Sequence, residues 1–377
     1  MERSDDVCRP VAPQKMKIVV ACDSFKGSLS SLEAGEAVRA GICKATDSCE
    51  VKVLPLADGG EGSIDSIAPF IGGIKKYLKV KGPLGDPVDS YYICSPDGKN
   101  AYIEIAKASG LTLIAKERLD PFKATTYGSG ELIKDAVLNG ARRIFVFLGG
   151  SATNDGGAGM LKALGARLTD RDGNDIPDGA KGLKRLCKID VTGLIGKDLE
   201  LVTASDVINP LCGPLGASFV YGPQKGAAPD RLKELDDALK RFAQVAGLDP
   251  YEEGTGAAGG LSFALKNFLS SDIKSGAKIV TEITGLEDLI KDCDIVITGE
   301  GRIDRQTLNG KAPYVVMKLA KKYGKKVIGV TGIRGEGFED CLKAGFDKIL
   351  PLKEPSMEKD KAIRSLTDTV FDIFSNC

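Results

Sequence analysis

The sequence predicts an α/β protein with largely parallel sheets. Three observations carry that expectation. Short β-rich runs alternate with helical patterns along the chain. Glycines, 46 in 377 residues, roughly 12% against an average of about 7%, cluster directly after the apolar runs. The plainest helices open and close with recognisable caps.

In chain order, "KIVVAC" (17–22) reads as the first strand. Ser30 and Glu33 then form the S-x-x-E pattern of a capping box, and Ala34, Ala37, Val38, Ile42 and Ala45 keep helical spacing. "VKVLPL" (51–56), "YIEIA" (102–106), "RIFVFL" (143–148) and "ELVTA" (200–204) read as strands. So do "SFVYG", "DIVITG", "KVIGVTG" and "KILPL". A helix over 128–139 carries Leu132, Ile133, Ala136 and Val137, with Gly140 at the position of a C′ glycine. Another over 313–323 opens with Pro313 and is followed by Gly324. Residues 230–244 read as a solvated amphipathic helix.

Gly/Pro-rich breaks at 81–87 and 270–277 suggest domain edges. Residues 16–84 and 275–377 then form one discontinuous Rossmann-like domain, and 85–274 a second α/β domain inserted into it. Residues 1–15 have no apolar h-region and read as a disordered extension, which is not the pattern of a signal peptide.

Lys plus Arg and Asp plus Glu both number 52, which argues against a nucleic-acid or anionic-membrane partner. No apolar run approaches the roughly 20 residues of a membrane span. The ten Cys show neither C-x-x-C nor zinc spacing and read as reduced core residues, so the cytoplasm is expected. With no His in the chain, acid–base work falls to Asp, Glu, Lys, Tyr or Cys.

In parallel sheets, ligands bind beyond the carboxyl ends of strands. Six predicted strand ends carry the same polar mix. They present Asp23, Ser24, Lys26, Gly27 and Ser28; Asp58, Gly59, Gly60, Glu61 and Gly62; Ser151, Thr153, Asn154 and Asp155 among glycines. The others present Asp206 and Asn209; Gln224 and Lys225; and Glu300, Arg302, Asp304 and Lys311. Any one of these loops reads equally well as a capped turn. Six together, with lysines that capping does not require, point to a polyanion-binding catalytic cleft. Glycine loops free N–H groups for phosphate oxygens, cations offset phosphoryl charge, carboxylates hold Mg²⁺, and an Asp accepts a hydroxyl proton. Walker A is absent. "GTGAAG" (254–259) matches G-x-G-x-x-G but follows "DPYEE" where a strand is required, so a glycine-rich helix start or a loop lining the cleft fits it better.

Seven stretches taken together resemble the glycerate kinase family, of the bacterial glycerate 2-kinase type. They are "KIVVACDSFKGSLSS", "PLADGGEGS", "GGSATNDGGAGML", "DVINPLCGPLGA", "GPQKGA", "AAGGL" and "TGEGRIDRQTLNGKAP", in the family's order from about residue 16. The resemblance implies a flavodoxin-like domain interrupted by a second α/β domain, with the active site in the cleft between them. It implies ATP-dependent phosphorylation of D-glycerate to 2-phosphoglycerate, with ATP and Mg²⁺ as cofactors. The residues alone leave the 2- and 3-hydroxyl undecided. They also leave room for a kinase of another hydroxy or sugar acid, or for an inactive sensor of the same fold. A homodimer stays open. Cys22, Ser205 and Asn309 stand where many relatives have Pro, Cys and His.

Within that reading Asp206 is the favoured general base, with Asp304 and Asp155 as competitors. Arg302 suits the glycerate carboxylate, its bland alternative being an ion pair with Glu300 or Asp304. Lys26, Lys225 and Lys311 are candidates to neutralise phosphate charge. Asp23, Ser24, Asp58, Glu61 and Asn209 are candidate substrate residues. Ser151, Asn154, Asp155, Gly156, Gly157, Lys225, Glu300 and Lys311 are candidates to face the nucleotide. Asp58 and Asp155 are the candidate metal ligands.

Overall fold

The computed structural model describes residues 15–57, 59–60 and 62–375. Asp58, Glu61 and all but the last residue of the expected 1–15 extension lie outside the described residues. The chain divides into two compact units. The first takes residues up to Leu54, Glu287–Leu308 and the chain from Val316; the second takes Pro55–Leu286 and Asn309–Val315.

The first unit holds a five-stranded sheet. Its order is Lys348–Pro351, Lys326–Arg334, Ile295–Ile303, Met16–Cys22, Cys49–Pro55. The first four strands pair in parallel. Numbered along the unit and read from the Cys49–Pro55 edge, that is 2-1-3-4-5, the flavodoxin-like order. Its topological switch falls between Met16–Cys22 and Ile295–Ile303. Apolar β-branched runs such as Ile18–Val20 and Ile295–Ile297 are what a two-sided parallel sheet buries. Helix Ser31–Ala45 starts with the expected capping box, Ser30 and Glu33 each bonding the other's backbone N–H. Gly41 lets the helix Lys359–Phe374 approach closely, since a Cβ there would lie 2.5 Å from the Thr367 carbonyl oxygen.

The second unit is built on a six-stranded sheet. Its order is Asp272–Lys274, Glu200–Ala204, Arg143–Phe147, Asn100–Glu104, Pro87–Cys94, Ile74–Lys81. Its first four strands are parallel and the last two antiparallel. Tyr92, Ile103, Val146, Leu161, Phe242 and Phe263 are fully buried in its main core.

Both expected domain edges move. Residues 81–87 are a hairpin turn, closed by the Gly82 and Gly85 N–H groups. It joins Ile74–Lys81 to Pro87–Cys94 inside the second sheet, so 55–84 leaves the first unit. Residues 270–277 contain Asp272–Lys274, which pairs with Glu200–Ala204, so the second unit continues to Leu286. "SFVYG" forms the helix Ala217–Tyr221 in place of the expected strand. A short apolar run has no periodicity that separates the two, and bonds from Asn154 to Ser218 and from Tyr221 to Asn209 fix the helical form. "GTGAAG" leads into the span Ala257–Leu269, but Ala258, Gly259 and Gly260 have positive φ, so the motif makes a left-handed kink ahead of the regular helix. Every described cysteine is free.

Candidate functional site

In the first unit two motif loops leave the sheet at its switch point. The Asp23 N–H donates to the Gly299 carbonyl at 2.7 Å, carrying the parallel pairing one residue past Cys22. Gly301 runs beside the first loop: an added Cβ would stand in ordinary contact with it, 3.5 Å from Phe25 Cα. Gly299 serves the sheet itself: a Cβ would fall 2.1 Å from the Val330 carbonyl oxygen. Asp23 is buried, and its Oδ1 accepts the Ser24 N–H at 2.7 Å. Lys26 is exposed.

The Ile295–Ile303 strand carries its acids inward and its cation outward. Glu300 and Asp304 are buried. Thr307, fully buried, donates its hydroxyl to Glu300 at 2.8 Å and accepts the Asp304 N–H at 3.1 Å. Asp304 also accepts the Gln306 N–H, and its other oxygen takes Arg302 Nε at 3.0 Å. The bland alternative for Arg302 is therefore realised. Yet the arginine side chain is 61% exposed against 12% for its partner, so a carboxylate from solvent can compete for the guanidinium. Thr307 was missed from sequence; the D-x-x-T spacing of a capped turn is the signal that marks it.

In the second unit the parallel strands end in register: Glu104 opposite Phe147, Phe147 opposite Ala204, Ala204 opposite Lys274. The motif loops gather on that row. A Cβ on Gly59 would stand 3.5 Å from the Ala204 carbonyl oxygen, and the Gly149 N–H reaches the Gly59 carbonyl at 3.3 Å. Glu104, also missed from sequence, is fully buried and accepts the Gly62 N–H at 2.9 Å. Burial pushes its carboxyl pKa up, and the Gly62 N–H and Lys107 charge pull it back. An acid inside the apolar "YIEIA" was its signal.

The Ser151–Gly157 loop departs from expectation, because every residue in it is buried. Asp155 is fully enclosed. Its two oxygens accept the Thr126 N–H (2.9 Å), the Thr126 hydroxyl, the Gly157 N–H (3.0 Å) and the Gly159 N–H (3.1 Å). These are the free donors at the starts of helices Tyr127–Leu138 and Ala158–Ala163. Burial raises its pKa, opposed by those bonds. With its lone pairs spent inside the fold, Asp155 is neither a metal ligand nor a general base. Asn154, also enclosed, donates to Ser218 at 2.9 Å. Gly156 and Gly157 are needed for packing: an added Cβ would meet Phe242 at 2.8 Å and Ala264 at 2.4 Å respectively. Their N–H groups are also taken, by the Gly259 carbonyl at 3.0 Å and by Asp155 at 3.0 Å.

Lys225 is buried as well, its ammonium donating to Ser151 Oγ at 3.0 Å and to the Thr153 carbonyl at 2.6 Å. Burial lowers its pKa to about 7, against the pull of Asp155. It pins the loop from within. Asn209 is likewise engaged, giving its amide to Leu215 O at 2.7 Å and accepting the Tyr221 hydroxyl at 2.8 Å.

Asp206 is exposed on the loop after Glu200–Ala204. The turn there is closed by Ser205 Oγ, which accepts the Val207 N–H. The Gly254 and Gly256 N–H groups hold the loop through the Ile208 and Asn209 carbonyls. Lys311 is half-buried, and its carbonyl accepts the Tyr314 and Val315 N–H groups as helix Ala312–Lys322 begins. Among the described residues no three His, Cys, Asp or Glu side chains gather as a metal cage, and no helix is long and apolar enough to cross a membrane.

Comparison with known proteins completes the site's description. The model of the glycerate kinase family matches residues 18–376. The glycerate kinase of Bacillus subtilis is 45% identical, over 89% of this chain and 90% of that protein. The glycerate 2-kinase of Escherichia coli is 43% identical, over 94% and 95%. A crystal structure of a Salmonella typhimurium LT2 protein described as a glycerate kinase 2 superposes with a TM-score of 0.84. It is 42% identical and covers 96% of this chain and 97% of that one.

Proposed function

The chain belongs to the glycerate kinase family, and on that premise we propose that it transfers the γ-phosphoryl group of ATP to D-glycerate, giving 2-phosphoglycerate. One observation carries the reading. In each unit, the loops bearing the family's polar residues leave the carboxyl ends of parallel strands, where α/β enzymes bind their ligands.

Asp206 takes the proton of the attacking hydroxyl, a role its exposure allows and the enclosure of Asp155 denies to its competitor. Asp304 remains the second candidate. Arg302 exchanges Asp304 for the glycerate carboxylate, which it can grip through two N–H groups. Lys26 and Lys311 offset phosphate charge as it develops. Asp23 and Ser24 orient the acceptor. Asn209 shapes its loop from behind. The described residues supply no metal cage, since Asp155 spends its oxygens on protein donors. Mg²⁺ is therefore placed with the nucleotide phosphates, whose charge it would offset, and no residue's role above depends on it. The free cysteines support a reducing, cytoplasmic setting.

The test is ADP formation with D-glycerate, L-glycerate and a panel of sugar acids, followed by phosphorus–proton correlation NMR of the product. D-glycerate-dependent turnover with phosphorus coupled to the C2 proton is the expected result. Phosphorus on C3, or turnover only with a sugar acid, would replace the acceptor assignment. Silence with every acceptor would leave a binding protein.

A further inference from the structure

The strand Lys326–Arg334 ends at the carboxyl edge of the first sheet, next to Ile295–Ile303. Its loop, Gly335 to Gly337, lies outside the seven resembling stretches. The register pairs Arg302 with Ile333 and Ile303 with Arg334. Gly335 then donates its N–H to the Ile303 carbonyl at 2.8 Å, which carries the ladder to the level of Asp304. The loop is tied on both sides of that point. Thr331, fully buried, accepts the Ile303 N–H at 3.0 Å and donates to the Ile333 carbonyl at 2.9 Å. The Arg305 N–H reaches the Glu336 carbonyl at 3.1 Å.

Gly335 is where the two strand ends press together. A Cβ there would stand 2.6 Å from Asp304 Cβ, 2.7 Å from Arg302 Nε and 3.2 Å from Arg302 Nη2. Its φ lies outside the left-handed region, so the backbone itself would accept a side chain and only these neighbours forbid one. Gly337 backs Arg305 likewise, since a Cβ there would lie 3.0 Å from Arg305 Nε. The loop thus lays bare backbone against two exposed arginines. An exposed arginine gives up rotamer freedom when it grips an anion. A surface that holds the guanidinium beforehand removes part of that cost. This surface also stays in place when Arg302 exchanges Asp304 for another carboxylate.

We propose that Gly335 is a positioning residue: it sets the guanidinium of Arg302 in the orientation that receives the glycerate carboxylate. The inference rests on the reading of Arg302 given above and adds to it a residue from the neighbouring strand's loop. Gly335 touches no substrate and acts only through Arg302.

The experiment is calorimetric titration of the full-length protein with D-glycerate, together with KM and kcat, for wild type, Gly335→Ala, Arg302→Gln and the double variant. Gly335→Ala should weaken glycerate binding about 10-fold and raise its KM as much. The KM for ATP should stay unchanged and kcat stay within about 2-fold. In the Arg302→Gln background the same substitution should add little, because its target is gone. A glycine needed only for packing would lower the melting temperature and spare the KM. Unchanged glycerate affinity in Gly335→Ala, or an equal loss with and without Arg302, would overturn the proposal. Arg302→Gln without effect on glycerate would overturn it too and leave phosphoryl transfer standing. Wild type that binds glycerate with the expected pattern but phosphorylates no acceptor would sink the kinase reading and leave Gly335 its role. Should Gly335→Ala fail to fold, Thr331→Val, which unties the same loop from Ile303, gives the same comparison.

Discussion

Two glycine-rich stretches look alike in sequence and behave oppositely in the structure. Thr298–Asp304, in the first unit, turns Arg302 out to solvent and braces it with Asp304 and Thr307. Ser151–Gly157, in the second, turns every polar group inward, its carboxylate capping two helices and Lys225 pinning it from inside. Glycines set among carboxylates thus leave a cation at the solvent in one place and build a polar core in another. What separates them is exposure: Arg302 keeps its guanidinium at the solvent, whereas Asp155 and Lys225 are enclosed.

That contrast predicts different failures. The largest effect is expected of Asp155→Ala. It strands N–H donors at two helix starts, which costs on the order of 4 kcal/mol. Urea unfolding measures it, and a variant as stable as wild type would erase the distinction. Asp206→Asn should instead lower kcat about 10²- to 10³-fold with little change in unfolding midpoint, since the residue is an exposed candidate base. Unimpaired turnover would remove it from the role.

Lys225 sharpens the comparison through pH. Its folded pKa of about 7 lies below the usual lysine value near 10.4. Between those values the unfolded chain holds the proton and the folded chain does not, so stability rises with pH there. Below pH 7 the cost of the buried charge is fully present. Wild type should therefore gain on Lys225→Met between pH 7 and 10, by on the order of 3 kcal/mol. Parallel stability curves would mean that the ammonium is not buried as described. The smallest folding effect is expected of Arg302→Gln, within about 0.5 kcal/mol for an exposed pair, while the KM for glycerate rises about 10-fold. A melting shift as large as that of Asp155→Ala would make Arg302 a brace.

Much of this was legible in advance. The Ser30–Glu33 capping box, the glycine ending helix Tyr127–Leu138 and the apolar strands with loops at their carboxyl ends follow from local chemistry. The hairpin Ile74–Cys94 was not, because Lys75, Lys76 and Lys79 break the apolar signal on an exposed strand face. Enclosure of Asp155 was not, because nothing near it in sequence names its donor Thr126, 29 positions away. Glu104 and Thr307 were missed because a buried acid and a stitching hydroxyl are ordinary residues until their partners are known.

The first sheet is assembled from distant pieces. The Lys17 N–H, on the strand Met16–Cys22, donates to the carboxylate of Asp294, 277 positions later. At about 5–20 residues per second on a ribosome, that partner emerges roughly a quarter of a minute to a minute afterwards. For that interval the strand Met16–Cys22 has an unfilled edge and apolar faces. The intervening stretch holds nearly the whole of the second unit, which can fold while the earlier strand waits. A nascent chain stalled before residue 295 is thus the state in which chaperone binding should be strongest.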